Sequence, residues 1–79
     1  MSLYRSKVDK VKSLLAVGAF QKALTIVKTF RLGFSREEKR SIQIAYESLS
    51  GHEQFYRSLG IDVDKVIEET RQLLADKYL

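Results

Sequence analysis

Few residues in this chain of 79 amino acids are of types that do chemistry, and their spacing works against it. His52 is the single histidine. General acid–base catalysis would need a carboxylate or a nucleophile within hydrogen-bonding reach of it. Glu47 stands five residues before it, not the three or four that align side chains on a helix. Glu53, its immediate neighbour, points elsewhere. Two adjacent carboxylate pairs occur, Glu37 with Glu38 and Glu68 with Glu69. Successive helical residues diverge by about 100°, so neither pair converges on one substrate atom. Asp62 and Asp64 have the alternate spacing of a calcium loop, but the further ligands, the central glycine and the closing glutamate do not follow. Capping and first-turn placement on a helix account for both. There is no cysteine, which excludes disulfides and thiolate metal sites. No glycine-rich phosphate loop follows a strand. The sequence therefore predicts a protein that is not an enzyme and that uses no cofactor, metal or small-molecule substrate.

The basic residues are the more informative set. Residues 1–40 carry ten Lys and Arg against three acids, a net of +7. Residues 41–79 carry four against seven, a net of −3. Such asymmetry suits an anionic partner. It equally suits attraction between the two halves, within one chain or between two copies. Binding nucleic acid would require a coherent cationic face able to reach phosphates. Lys28, Arg31, Arg36, Lys39 and Arg40 are the candidates, and Arg36 and Arg40 stack at i and i+4. In that reading residues 20–49 form a helix-turn-helix, although Glu37 and Glu38 occupy the end of its second helix that usually faces bases.

The elements that position these residues are helices. Four glycines, at 18, 33, 51 and 60, separate apolar-periodic segments, and no stretch alternates as a strand would. The best-punctuated segment runs from Ser35 to Gly51. Ser35 is an N-cap with Glu38 at the capping-box position, and Gly51 supplies a left-handed stop. Ile42, Ala45, Tyr46 and Leu49 share one face, and Ile44 falls nearly opposite, among Glu37, Ser41 and Ser48. Before it, a helix over about 2–17 carries the stripe Tyr4, Val8, Val11 and Leu15, widened by Leu14. A second over about 19–31 carries Phe20, Ala23, Leu24, Val27 and Phe30. Gly18 between them predicts a tight turn between two helices. After Gly51, residues 52–59 place His52, Phe55, Tyr56 and Leu59 on one apolar face. Two isolated helical turns are marginal in water, so that segment must rest on tertiary packing. Asp62 caps a last helix over 63–77 with the stripe Val63, Val66, Ile67, Thr70, Leu73 and Leu74. Short connections favour antiparallel neighbours. The expected fold is all-α, one domain over 1–79, a compact bundle of four to five short antiparallel helices.

Two local resemblances are present. The segment Leu32, Gly33, Phe34, Ser35, Arg36, Glu37, Glu38 resembles one found in MerR-type transcription regulators, where it lies between helices behind the DNA-reading pair. Over these seven residues it implies a glycine turn followed by a capped helix. The N-terminal helix-turn-helix of that family is not in this chain. Gly18, Ala19, Phe20, Ala23 and Leu24 are similar to the turn of a tetratricopeptide repeat, of which the chain holds one copy where three are normally required. Neither resemblance transfers a functional residue.

With 44% hydrophobic and 30% charged residues, the composition is that of a globular domain. The start lacks the apolar core of a secretion signal, and no run reaches the roughly 18 apolar residues of a membrane span. A cysteine-free chain suits a reducing compartment, so the expectation is a cytoplasmic protein that binds without a membrane. A domain this small buries only about 60% of its unfolded surface, and oligomerisation is one remedy. The sequence thus predicts an interaction and self-association module, in the simplest form a homodimer that also binds another protein. Phe34, Ile44 and Tyr78 are the residues expected to form an exposed apolar contact. The alternative is a nucleic-acid-binding accessory protein using the 31–40 segment.

Overall fold

Gly18 divides the front of the chain as its position predicts. In the computed structural model, which describes residues 3–30 and 33–79, α1 is Leu3–Ala16 and α2 is Phe20–Val27. Side chains are described from residue 6 onward. The Tyr4 side chain of the α1 stripe and Arg31 of the basic set therefore lie outside the described residues. The Ala19 N–H donates to the Leu14 carbonyl at 2.8 Å and the Gly18 N–H to the Leu15 carbonyl at 3.1 Å. These are the two bonds of a Schellman stop, and the φ of +77° they require at Gly18 suits glycine. Helix α2 ends earlier than its apolar stripe predicts. The N–H groups of Thr29 and Phe30 turn to the carbonyls of Ile26 and Val27, at 3.1 and 2.9 Å, in a tighter final turn. That turn brings Phe30 into the core.

Helix α3, Arg36–Glu47, starts from the expected capping box. The Glu38 N–H donates to Ser35 Oγ at 3.1 Å, and the Ser35 N–H donates to Glu38 Oε1 at 2.7 Å. Past Glu47 the backbone stays helical in direction as far as Gly51, whose φ of +109° breaks it. A short helix α4, Glu53–Ser58, leaves that kink at a new angle. Asp62 then caps α5, Val63–Tyr78, by accepting the Lys65 N–H at 3.1 Å.

Helices α3 and α5 form the most extensive contact in the fold, and they run antiparallel. Thr70 Oγ1 lies 3.4 Å from the Ser41 carbonyl at mid-length, and the Lys77 ammonium donates to the Gly33 carbonyl at the far end. Helix α1 packs on α2, and α2 packs on α3. Between them Val11, Phe20, Ala23, Leu24, Val27, Ile42, Ala45 and Leu74 form one buried cluster, closed by Phe30 and Tyr78. Each of the larger side chains among them contributes about 1.5–3 kcal/mol on leaving water. The expected all-α bundle is therefore the observed one, and no strand occurs among the described residues. Among the described residues no helix is long and apolar enough to cross a membrane.

The structure corrects which apolar residues are displayed. Ile44 and Tyr78, expected at the surface, are only 7% and 8% exposed. Helix α5 meets α3 at Ser41, on the side where Ile44 also projects, and so α3 is buried on two sides. The Tyr78 ring stands edge-on to Phe30 and Phe34, with centroids 6.5 and 6.3 Å away, which is favourable for the ring quadrupoles. Phe34 is half-buried in that cluster. Conversely Leu49 and the apolar face of α4, expected to pack, lie exposed.

Candidate functional site

Two surfaces carry the features that could recognise a partner. The first is a groove of about 210 Å³ between the end of α2 and the first half of α3. Val27, Phe30, Phe34 and Ile42 supply apolar walls; Lys28, Lys39 and Gln43 supply polar ones. Lys28 Nζ stands 4.0 Å over the centre of the Tyr46 ring, a cation–π contact that fixes the ammonium beside the groove. Lys77 Nζ sits 4.7 Å over the Phe34 ring at the other side. The groove is thus apolar within and cationic around.

The basic residues predicted from the sequence form two groups here that share Lys39. Lys28 and Lys39 meet at the groove although eleven residues apart in the chain. Arg36 and Arg40, with Lys39 and Gln43, occupy the outward arc of α3, and all four are exposed. Among the described residues no salt bridge holds Lys28, Arg36 or Arg40. The acids Glu37 and Glu38 turn away from this arc. With Ser41, Thr70, Leu73 and Glu69 they line a second groove, of about 240 Å³, between α3 and α5. The Glu38 carboxylate is spent there on the helix cap.

The second surface is α4. None of its residues is buried. Phe55 and Leu59, one turn apart, are 60% and 61% exposed, and Leu49 is partly exposed before the kink. The helix is nevertheless held in place. Tyr56 donates a hydrogen bond to the Glu47 carboxylate at the end of α3. That bond, with burial and the Glu47 charge acting the same way and Arg40 opposing, holds the Tyr56 phenol above its ordinary pKa. Arg57 bridges Glu53 at 2.6 Å and Asp64 at 3.1 Å, tying α4 to the start of α5. The Phe55 ring lies edge-on to Tyr56 at 5.2 Å. The Arg57 tie leaves from the side of α4 away from Phe55 and Leu59, and the Tyr56 tie from the edge of their face, which remains more than half exposed.

The groups considered for catalysis stay apart. His52 is exposed at the kink, while Glu47 is engaged by Tyr56. Glu68 faces Arg71 at 3.7 Å and Glu69 faces Lys65 at 4.0 Å, both at the surface. Asp62 is occupied as a cap. Among the described residues no three His, Cys, Asp or Glu side chains gather as metal ligands would. Phe55 and Leu59 are the functional candidates that the spacing argument assigned to packing. Length alone does not separate them from packed residues, since α2 is a helix of eight residues and buries Phe20, Ala23, Leu24 and Val27.

No protein-family model matches the chain, and neither the curated proteins nor the solved structures give a match.

Proposed function

We propose that this chain is a non-enzymatic interaction module that associates through the open face of α4. The observation that carries the reading is the pairing of Phe55 and Leu59, both more than half exposed on a helix anchored from its other sides. Aromatic side chains on rigid supports are the usual anchors of protein interfaces, and contiguous exposed apolar surface marks interaction sites. The partner includes a second copy of the chain, in the simplest case as a homodimer, and the face also suits another protein. The absence of cysteine supports placing this work in the cytoplasm. Sedimentation of the wild type against a Phe55→Asp, Leu59→Asp variant tests the reading. Concentration-dependent association of the wild type, lost in the variant, is expected; a monomeric wild type at every concentration overturns self-association.

A second reading rests on the outward arc of α3, where Arg36, Lys39 and Arg40 align with Lys28 beside them. It makes the chain a nucleic-acid-binding accessory protein. Fluorescence anisotropy with generic duplex and single-stranded DNA separates the two. Phosphate contacts weaken steeply as salt rises, so binding at low salt that collapses near physiological salt, and that Arg36→Glu with Arg40→Glu abolishes, supports this reading. No binding even at low salt removes it.

A further inference from the structure

We infer that the apolar face of α4 on one copy of the chain docks into the lysine-rimmed groove between α2 and α3 of another, making the self-association head-to-tail. The inference rests on the self-association proposed above and names its acceptor.

The two surfaces match in size. Pockets that enclose a drug-sized ligand run from about 300 to 1,000 Å³. The groove, at about 210 Å³, falls short of that and suits one or two side chains. Phe55 and Leu59 project side by side from one helical face, each about 60% exposed. The groove wall offers them Val27, Phe30, Phe34 and Ile42. An aromatic ring entering there meets Phe34 and Phe30, which are already arranged edge-on around Tyr78.

They match in charge. The groove is rimmed by Lys28 and Lys39, with Lys77 over Phe34. Helix α4 lies within residues 47–64, which hold four acids, Glu47, Glu53, Asp62 and Asp64, against one base, Arg57. Glu47 and Asp62 flank its ends, and the only cation on it, Arg57, is bridged to Glu53 and Asp64. Two copies placed with α4 against the groove therefore bring the acidic surroundings of α4 on one beside the lysine rim of the other. Placing α4 against α4 would bring two such acidic stretches together, which like-charge juxtaposition disfavours.

They cannot meet within one chain. The groove lies against the first half of α3, and α4 starts beyond its last residue. Helix α3 is about 18 Å long, and the Tyr56–Glu47 and Arg57–Asp64 contacts hold α4 at its far end. A donor and an acceptor at separate places on one molecule define a heterologous contact, which closes into a ring or extends as a filament.

Two variants of the full chain and their mixture test this. Phe55→Asp with Leu59→Asp destroys the donor; Lys28→Glu with Lys39→Glu destroys the acceptor. All four positions are exposed, so the fold tolerates both changes. By sedimentation, each variant alone should associate at least about a hundredfold more weakly than the wild type, as expected when interface anchors are lost. The equimolar mixture should form a one-to-one dimer and nothing larger, because one intact donor meets one intact acceptor. Three results overturn the inference, and they are distinguishable. If the wild type is monomeric, self-association fails and the inference falls with it. If the donor variant loses association and the acceptor variant keeps it, α4 pairs elsewhere while self-association stands. If both variants lose association and mixing restores none, the contact is a symmetric one that uses both patches at once.

Discussion

Helices α3 and α4 follow one another, separated only by the kink at Gly51, and both carry an apolar stripe in sequence. Their fates are opposite. Helix α3 begins with a closed capping box, buries Ile42, Ile44 and Ala45, and is covered by α2 on one side and α5 on another. Helix α4 buries nothing and is held by polar ties at its edges. The difference lies in length and company more than in composition. Twelve residues give α3 three turns on which two neighbours can pack; six residues give α4 less than two. An apolar stripe is thus a statement that a face needs a partner. Whether the partner belongs to the same chain is settled by what else is within reach.

The contrast can be broken most sharply at its apolar positions. Ile42→Ala in α3 should lower stability by about 2–5 kcal/mol, the range for emptying a buried aliphatic site. Phe55→Ala in α4 should change it by about 0.5 kcal/mol or less, as for an exposed residue. Urea denaturation at low protein concentration measures both, and equal losses would mean that α4 packs as α3 does. The junction comes next. A Cβ at Gly51 would meet no atom within 4 Å, so Gly51→Ala is penalised only for its left-handed backbone, by about 1–2 kcal/mol. Thermal unfolding followed by circular dichroism reads that loss, and an unchanged midpoint would show that the kink relaxes. Removing the cap, Ser35→Ala, should cost about 1 kcal/mol. Amide exchange should accelerate in the first turn of α3 and not in α4; acceleration in both would deny their independence.

A comparable, pH-dependent effect concerns the tie between them. Tyr56→Phe deletes the bond to Glu47 and should cost about 0.5–1.5 kcal/mol of α4 docking. The phenol is held above its ordinary pKa because that bond needs the proton. Its contribution is therefore complete below the ordinary phenol pKa of about 10 and is lost as pH rises through the higher folded value. Amide exchange in α4, compared between wild type and Tyr56→Phe, should converge once that pH is passed. A difference that persists in strong alkali would place the tie elsewhere.

What the sequence makes legible follows the range of the rule involved. The capping box at Ser35 and Glu38, the cap at Asp62 and the stop at Gly18 are settled by residues three to five apart, and each is found where it was expected. The core stripe of Val11, Ala23, Leu24 and Val27 is likewise legible, since periodicity alone selects the inward face. Ile44 and Tyr78 were misplaced because their burial depends on where α5 and the Phe30–Phe34 pair come to lie. Phe55 and Leu59 were misplaced for the reverse reason: the stripe is real, and among the described residues no second helix buries it. The groove brings Lys28 and Lys39 together across a chain reversal. Their identity as cations of interest could be read from the sequence, and the apolar walls between them could not.

The glycine stop at Gly18 has a kinetic meaning as well as a structural one. It joins α1 to α2 through a turn whose hydrogen bonds span three to five residues, and the two helices then lie against each other. Closing so short a loop forfeits little chain entropy. Proteins assembled from contacts between sequence neighbours fold within microseconds to milliseconds. This hairpin is therefore placed to form early, as a ready surface on which α3 and α5 can condense.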